Sequence, residues 1–458
     1  MNRRDFLRCA AGAAATLPVL RANPGSPNVI FIFADDLGYG DLGCYGSKIP
    51  TPNLDQMASE GIRFRSFYSA SPVCSASRAA LLTGRYPVRS GINGVLFPDD
   101  NKGIPESETT IAQMLKWANY RTMCIGKWHL GAKPDFLPTN KGFDEFFGVP
   151  FSNDMYPLPL MRGTEVIANK AKLSLLTQQY TKEAVDFIGR STDTPFFLYL
   201  AHTFPHIPIA ASPEFRGKSG MGMYGDAVAE IDWSCGQILQ ALKDKGLDEN
   251  TLVIFSSDNG PWYEGTAGRL RGRKGETWEG GMREPFIARF PGRIPPDRVT
   301  EAMGTMMDVL PTLARVCGAP LPGASLDGVN IWPILTGDAE SVDRPLFLYF
   351  DGIHAQCARS GRWKLHVARY DAFPWVPGPP EGRFNLPLKH PELYDVASDP
   401  EEAFDVASDN PDVVNDIQTQ IRDAMTTMPL NVQNARNYTL SLKVQDTPTG
   451  ALPVRDYS

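Results

Sequence analysis

The chain has 458 residues, more than one ordinary hydrophobic core accommodates, so a large domain with a smaller companion is the expected layout. Hydrophobic residues make up 42% and charged residues 21%, with 41 glycines and 39 prolines; this excludes a fibrous or disordered chain and describes a globular protein rich in loops. A formal net charge of -7 argues against nucleic acid as a partner, while leaving room for a local basic pocket that holds an anion.

The opening segment MNRRDFLRCAAGAAATLPVLRA pairs Arg3 and Arg4 with Phe6 and Leu7, then runs through small apolar residues. Residues 1–24 read as an export signal of the twin-arginine type, which predicts twin-arginine export machinery as a partner and a bacterial periplasmic or secreted location, reached already folded. No later stretch reaches the ~18 consecutive apolar residues of a spanning helix, so no stable membrane insertion is expected. The seven cysteines are scattered, with no C-x-x-C pair and no metal-ligand spacing, which argues against a dense disulfide framework.

Four short apolar runs are each followed at once by polar or glycine-rich residues, as buried parallel strands feeding loops should be. Residues 29–33 lead to Asp35 and Asp36; a strand ending near Ile125 leads to Lys127 and His129. Residues 196–200 lead to His202 and His206, and residues 252–255 to Asp258 and Asn259. Helices are predicted after Cys74 and over 109–118, 178–188 and 224–242. The alternation predicts an α/β fold: a large, mostly parallel sheet sandwiched by helices, with ligands bound beyond the carboxyl ends of the strands, where all four polar clusters fall. This main domain is expected over residues 25–340, closed by a last helix in MMDVLPTLARVCGAPLP and a loop in DGVNIWPILTGD. Residues 341–458 predict a smaller α+β domain, with short antiparallel strands in PLFLYFDG, QCARSGRWKLHVARY and ELYDVASDPEE and a terminal helix over 412–425.

Asp35, Asp36, Asp258 and Asn259 supply hard oxygen donors at two strand ends. Adjacent carboxylates repel unless a cation or good donors compensate them, so these residues are candidate ligands of calcium or magnesium; without clustered His or Cys they do not suit zinc. Lys127 and His129 alternate in GKWHLG; in an extended loop both point one way, opposite Trp128, and together can hold an anion and exchange a proton. His206 in FPHIP and Lys274 in RGRKGETWEGG are further candidates, and spacing alone does not choose between His202 and His206. Cys74 precedes SASRAALLTG, a good helix former, so it is expected at a helix N-terminus, where free amides and the dipole favour an anion. Arg78, one turn on, would face the same way and fork onto a phosphate or sulfate.

CSASRAALLTGR resembles the C-x-[PA]-x-R, x4-T-G-R signature of type I sulfatases, arylsulfatase-A-like members of the alkaline phosphatase superfamily. The likeness continues through NVIFIFADDLGYGDL, TPNLDQMASEG, GKWHLG, SSDNG, KGETWEGGMREP and ELYDVASDP. It implies that a separate maturation enzyme oxidises Cys74 to formylglycine (3-oxoalanine), and that Asp35, Asp36, Asp258 and Asn259 hold one calcium ion beside the modified Cys74. It further implies that Arg78 steadies the formylglycine, that Lys127 and Lys274 bind sulfate oxygens, and that His129 assists the second hydroxyl. The family's H-x-P pattern falls on His206, Ile207 and Pro208, which makes His206 the donor to the leaving alcohol, and Ser152 matches a sulfate-contacting serine. Ala76 stands where proline is commoner in the signature.

The implied reaction is hydrolysis of a sulfate monoester, carried by a sulfated small molecule or oligosaccharide or by an aryl alcohol. Its alternatives are a phosphonate- or phosphate-ester hydrolase of the same superfamily and a binding protein on a decayed scaffold. Tyr370, Phe373 and Trp375 either overhang the site or pack the smaller domain.

Overall fold

The computed structural model describes residues 25–191, 193–344, 346–374 and 383–442; the expected export signal and Trp375 lie outside them. Strands β1 (Asn28–Ala34), β2 (Ile62–Tyr68), β3 (Arg121–Lys127), β4 (Glu145–Val149), β5 (Leu160–Arg162) and β6 (Glu165–Ala168) join β7 (Phe196–Ala201), β8 (Thr251–Ser257), β9 (Arg283–Arg289) and β10 (Arg298–Thr305). They form one sheet in the order β10-β2-β9-β8-β1-β7-β3-β4-β5-β6. Its centre, β8-β1-β7-β3-β4, is parallel throughout. Strand β9 runs antiparallel between β8 and β2, and β5 turns back against β4, so the sheet is mixed and mostly parallel, as the alternation of strands and helices predicts.

The apolar runs become central strands because they bury both faces. Every residue of β1 is buried; Val29, Phe31 and Phe33 pack into the core on one face, and Ile30, Ile32 and Ala34 into the core on the other. Each large side chain so placed contributes about 1.5–3 kcal/mol through removal of apolar surface from water. Helices flank both faces: Cys74–Thr83 and Ile111–Trp117 meet the first core, Leu176–Gly189 and Gly222–Asp244 the second. Thr110 starts the Ile111–Trp117 helix with a capping box, accepting from the Gln113 amide while the Gln113 side chain accepts from its own.

Two expectations are corrected. DGVNIWPILTGD is not all loop: it contains a helix, Trp332–Thr336, which Pro333 can open because the first turn needs no amide donor. A further helix, Leu430–Ser441, follows the predicted terminal one; it buries only Val432 and Thr439, so its sequence shows no apolar stripe.

The second sheet is antiparallel, in the order β11 (Phe347–Asp351), β12 (His354–Ser360), β13 (Trp363–Tyr370) and β14 (Asn385–Asp395). The Pro411–Met425 helix covers it with Ile417, Ile421 and Met425. The same core takes in Tyr68, Ala80 and Met282 from the large sheet's side, so the two sheets share apolar packing. The six described cysteines are all unbridged. Among the described residues, no helix is long and apolar enough to cross a membrane.

One glycine fixes how β3 delivers its last residue. Gly126 has φ +101, and a Cβ there would lie 1.8 Å from the Ala201 carbonyl oxygen of β7. Gly126→Ala is therefore expected to lower stability by about 2–5 kcal/mol, through backbone strain and overpacking together. Urea unfolding would report this as a lower midpoint; an unchanged midpoint would mean that the two strands separate at little cost.

Candidate active site

Four adjacent parallel strands end at one place. Asp258 and Asn259 follow β8, Asp35 and Asp36 follow β1, His202 and His206 follow β7, and Lys127 ends β3. Backbone bonds prolong the ladder past the strand ends, from the Asp35 amide to the Phe204 carbonyl (3.1 Å) and from the Asp258 amide to the Ala34 carbonyl (3.3 Å). Ser152 arrives after β4, Lys274 from the loop between β8 and β9, and Cys74 from the chain that leaves β2. Cys74 opens its helix as expected. Val73 before it is extended and caps no amide with its side chain, so the first-turn amides remain available.

The charged groups interlock. Arg78 directs Nε (3.1 Å) and Nη2 (2.8 Å) onto Asp258 Oδ2, and Nη2 lies 3.5 Å from Asp35 Oδ2. Its Nη1 donates to the Lys127 carbonyl (3.2 Å). Lys127 Nζ stands 2.5 Å from Asp35 Oδ2 and donates to Ser152 Oγ (3.0 Å). Lys274 Nζ donates to Asp36 (2.8 Å), and His206 Nε2 lies 3.7 Å from Asp36 Oδ2. The Asp36 amide donates to Asp258 Oδ1 (3.1 Å), and Asn259 Nδ2 to Asp36 Oδ1 (2.8 Å). Asp36 and His129 both hold left-handed backbone, φ 60 and φ 56, which non-glycine residues rarely adopt and which here mounts two polar side chains.

That φ corrects the extended loop expected for GKWHLG. Lys127 is the last strand residue and His129 follows in left-handed backbone, while the fully buried Trp128 donates Nε1 to the Phe136 carbonyl. His129 Nε2 meets the Leu96 carbonyl at 2.9 Å; a carbonyl only accepts, so Nε2 carries the hydrogen and Nδ1 keeps a lone pair with no partner. His206 Nδ1 is likewise held by the Ile207 carbonyl (2.5 Å), which turns Nε2 toward Asp36. Of the two histidines that spacing left open, His206 reaches the carboxylates. His202 is fully buried, and neither ring nitrogen makes a hydrogen bond.

Burial disfavours every charge here, and opposite charges decide the outcome. Burial opposes ionisation of Asp35, yet Lys127, His206, Arg78 and Lys274 hold its carboxyl well below the usual carboxylate range. Lys274 is buried too, but Asp36 pushes its ammonium above the usual lysine range. The Cys74 thiol is pushed up by burial, against the pull of Lys127 and Lys274. His129 is driven well below the ordinary imidazole range by burial and by Lys127, so its ring is neutral. Burial alone takes His202 down to about 3.

Donor atoms of Asp35, Asp36 and His206, and those of Asp35, Cys74 and Asp258, lie within 4.8 Å of one another. Asp35 Oδ1 and Asn259 Oδ1 are buried without a partner, and Asp35 Oδ2 has only its ion pairs with Lys127 and Arg78. Unsatisfied hard oxygens converging on one point fit a divalent cation such as calcium. Sequence reasoning missed Asn153, whose Nδ2 donates to the His206 and Pro208 carbonyls (3.2 Å each), and the Leu96 carbonyl under His129. It also missed Glu284 in β9, fully buried with both carboxyl oxygens unpartnered; burial, with Asp258 and Asp36 adding to it, drives that carboxyl well above the usual range. The REP triplet was visible, but nothing in it marked a buried acid.

Residues 27–319 match the family described as Sulfatase. The chain belongs to the sulfatase family. Residues 274–430 of this sulfatase also match the C-terminal region of N-sulphoglucosamine sulphohydrolase. It is 38% identical to arylsulfatase A of Homo sapiens over 96% of this chain and 95% of that protein. It is 43% identical to N-acetylgalactosamine-6-sulfatase of Canis lupus familiaris over 75% and 72%. Among solved structures it resembles the PsFucS1 sulfatase from Pseudoalteromonas sp., with a TM-score of 0.80 and 31% identity over 88% of this chain and 90% of that one. It also resembles Ps i-CgsB in complex with k-i-k-neocarrahexaose, with a TM-score of 0.76 and 28% identity over 91% and 98%. The chain is thus a sulfuric ester hydrolase with the alkaline-phosphatase-like fold that its motifs imply.

Proposed function

We propose that this sulfatase cleaves a sulfate monoester of a carbohydrate, using formylglycine made from Cys74 and one calcium ion. The observation that carries the reading is the convergence of Cys74 with Asp35 and Asp258 within 4.8 Å, beside three buried cations, Arg78, Lys127 and Lys274. Asp35, Asp36, Asp258 and Asn259 would hold the calcium, which supplies positive charge against the sulfate oxygens. A hydrated aldehyde at residue 74 supplies one hydroxyl for attack on sulfur and a second whose deprotonation releases the sulfate.

The remaining work falls to the chain's own side chains. Lys127, Lys274 and Ser152 orient the sulfate and offset charge on its oxygens, in a pocket where burial keeps water from screening them. His206 keeps one proton on Nδ1, against the Ile207 carbonyl, and presents Nε2 to the pocket; once Nε2 has taken up a second proton, it passes that proton to the departing alcohol oxygen as the sulfur–oxygen bond breaks. His129, neutral with Nδ1 free, takes the proton of the second hydroxyl. Arg78, locked onto Asp258, fixes the side of the pocket at which residue 74 stands.

A carbohydrate substrate is supported by the relative named for N-acetylgalactosamine 6-sulfate and by the neighbour solved with a neocarrahexaose. Export of folded, already matured protein through the twin-arginine route to the periplasm rests on residues 1–24 of the sequence. The reading is tested by the mass of the peptide containing residue 74 together with turnover of p-nitrophenyl sulfate and an aryl phosphonate ester. An aldehyde at residue 74 and faster sulfate hydrolysis are expected. Faster phosphonate hydrolysis would reassign the reaction.

A further inference from the structure

The second sheet grips the segment that carries Lys274. Lys364 of β13, with no exposed surface, donates Nζ to the Thr277 carbonyl (2.9 Å) and to Glu279 Oε1 (3.0 Å), and lies 2.9 Å from Glu402 Oε1. Glu402 Oε2 accepts from the Glu279 amide (2.7 Å), and Glu402 Oε1 meets His366 Nε2 (2.7 Å). Gln356 of β12 accepts from Thr277 Oγ1 (2.8 Å) and is itself held by donating to Asn385 Oδ1 (2.9 Å). Between these residues, Trp278 packs on His366 and Arg369 of β13, 4.3 Å and 4.5 Å from its ring centroid, and on the Arg271 guanidinium at 3.7 Å. Every residue from Thr277 to Glu279 is thus fixed from the second sheet.

The grip reaches the pocket within three residues. Lys274 donates its amide to the Pro261 carbonyl (3.1 Å) and its ammonium to Asp36, and the Gly275 amide donates to the Pro72 carbonyl (2.9 Å), two residues before Cys74. Lys274 itself has a long, flexible stem, and burial of an unpaired ammonium is costly, so its placement depends on where its backbone is anchored.

We propose that Lys364, Glu402 and Gln356 are positioning residues for the sulfatase reaction: from the second sheet and the loop that follows β14 they hold the 274–279 segment so that Lys274 and the chain entering Cys74 keep reactive register. None of the three contacts the sulfate site, and the role rests on the reading of Lys274 as a sulfate-binding residue. It gives the second sheet a part in catalysis, since misplacement of a reacting group by about 1 Å costs on the order of a hundredfold in rate.

The test is a double-mutant cycle on full-length matured enzyme with p-nitrophenyl sulfate, combining Lys274→Ala with Lys364→Met or Gln356→Ala. Gln356→Ala removes no charge and keeps the test available if Lys364→Met fails to fold. Each positioning variant is expected to lower kcat by about tenfold or more in protein that still melts cooperatively, and to have little further effect once Lys274 is alanine. Unchanged kcat in the folded single variants overturns the proposal. So does a loss that persists undiminished beside Lys274→Ala, which would mark a general structural effect. If Lys274→Ala alone keeps full activity, the reading of Lys274 falls first and takes this proposal with it.

Discussion

Cys74→Ala is expected to abolish sulfate ester hydrolysis, lowering kcat/KM by at least about 10³-fold, while leaving the protein folded. Cys74 is 1% exposed in the first turn of a helix whose ten residues are all buried, and alanine suits that helix and removes only one sulfur. An unmodified thiol does not rescue the site. Burial pushes it up in spite of Lys127 and Lys274, so it stays protonated, and thiolate attack on sulfur would end in a thiosulfate linkage with no exit. Cys74→Ser separates the steps further: a single hydroxyl can accept the sulfuryl group but has no second proton whose loss releases it, so one turnover at most is expected. Full activity in protein whose residue 74 is an unoxidised cysteine by mass would overturn the mechanism. The same measurement shows whether Ala76, standing where the signature more often has proline, leaves the oxidation complete.

Asp35→Asn should strike metal, charge balance and stability together. Asp35 is fully buried, with Oδ2 2.5 Å from Lys127 Nζ and 3.5 Å from Arg78 and with Oδ1 unpartnered. Replacing it leaves a buried ammonium short of its partner, a change that costs about 3–5 kcal/mol. Because the folded-state carboxyl is held below its unfolded value, its contribution is present at neutral pH and fades only as pH falls through the folded value. Asparagine removes it at every pH. We expect a loss of about 10²–10³-fold in kcat/KM, a lower unfolding midpoint, and less calcium retained per protein by elemental analysis. Wild-type rates after exhaustive chelation would remove calcium from the reaction.

The strands that carry the site were the most legible part of the sequence, for a physical reason. β1, β7 and β8 bury both faces and so read as apolar runs, and each run is followed within a few residues by a polar group of the candidate site: Asp35 after β1, His206 after β7 and Asp258 after β8. Strands β2 and β9 were missed because Arg63 and Arg65, or Arg283, Glu284 and Arg289, interrupt their apolar pattern. Two of those arginines pair with partners remote in sequence, Arg289 with Glu60 and Asp248 and Arg65 with Glu301, while Arg283 pairs with Glu279 four residues before it. Within the site, side-chain types announced themselves but backbone did not. No residue type signals that the Leu96 carbonyl will set the tautomer of His129, or that His129 and Asp36 will adopt left-handed backbone.

The ion pairs of the pocket carry one last consequence. Lys127 with Asp35, Lys274 with Asp36 and Arg78 with Asp258 leave it internally neutral. A cation drawn to the carboxylates releases ammonium groups to receive an anion, and an anion drawn to the ammonium groups releases carboxylates for a cation. Occupancy of the two halves is therefore expected to be cooperative, and reciprocity would then require each ion to tighten the other by the same factor. Calcium titrations with and without inorganic sulfate measure that factor directly; a calcium affinity indifferent to sulfate would show that the two halves load independently.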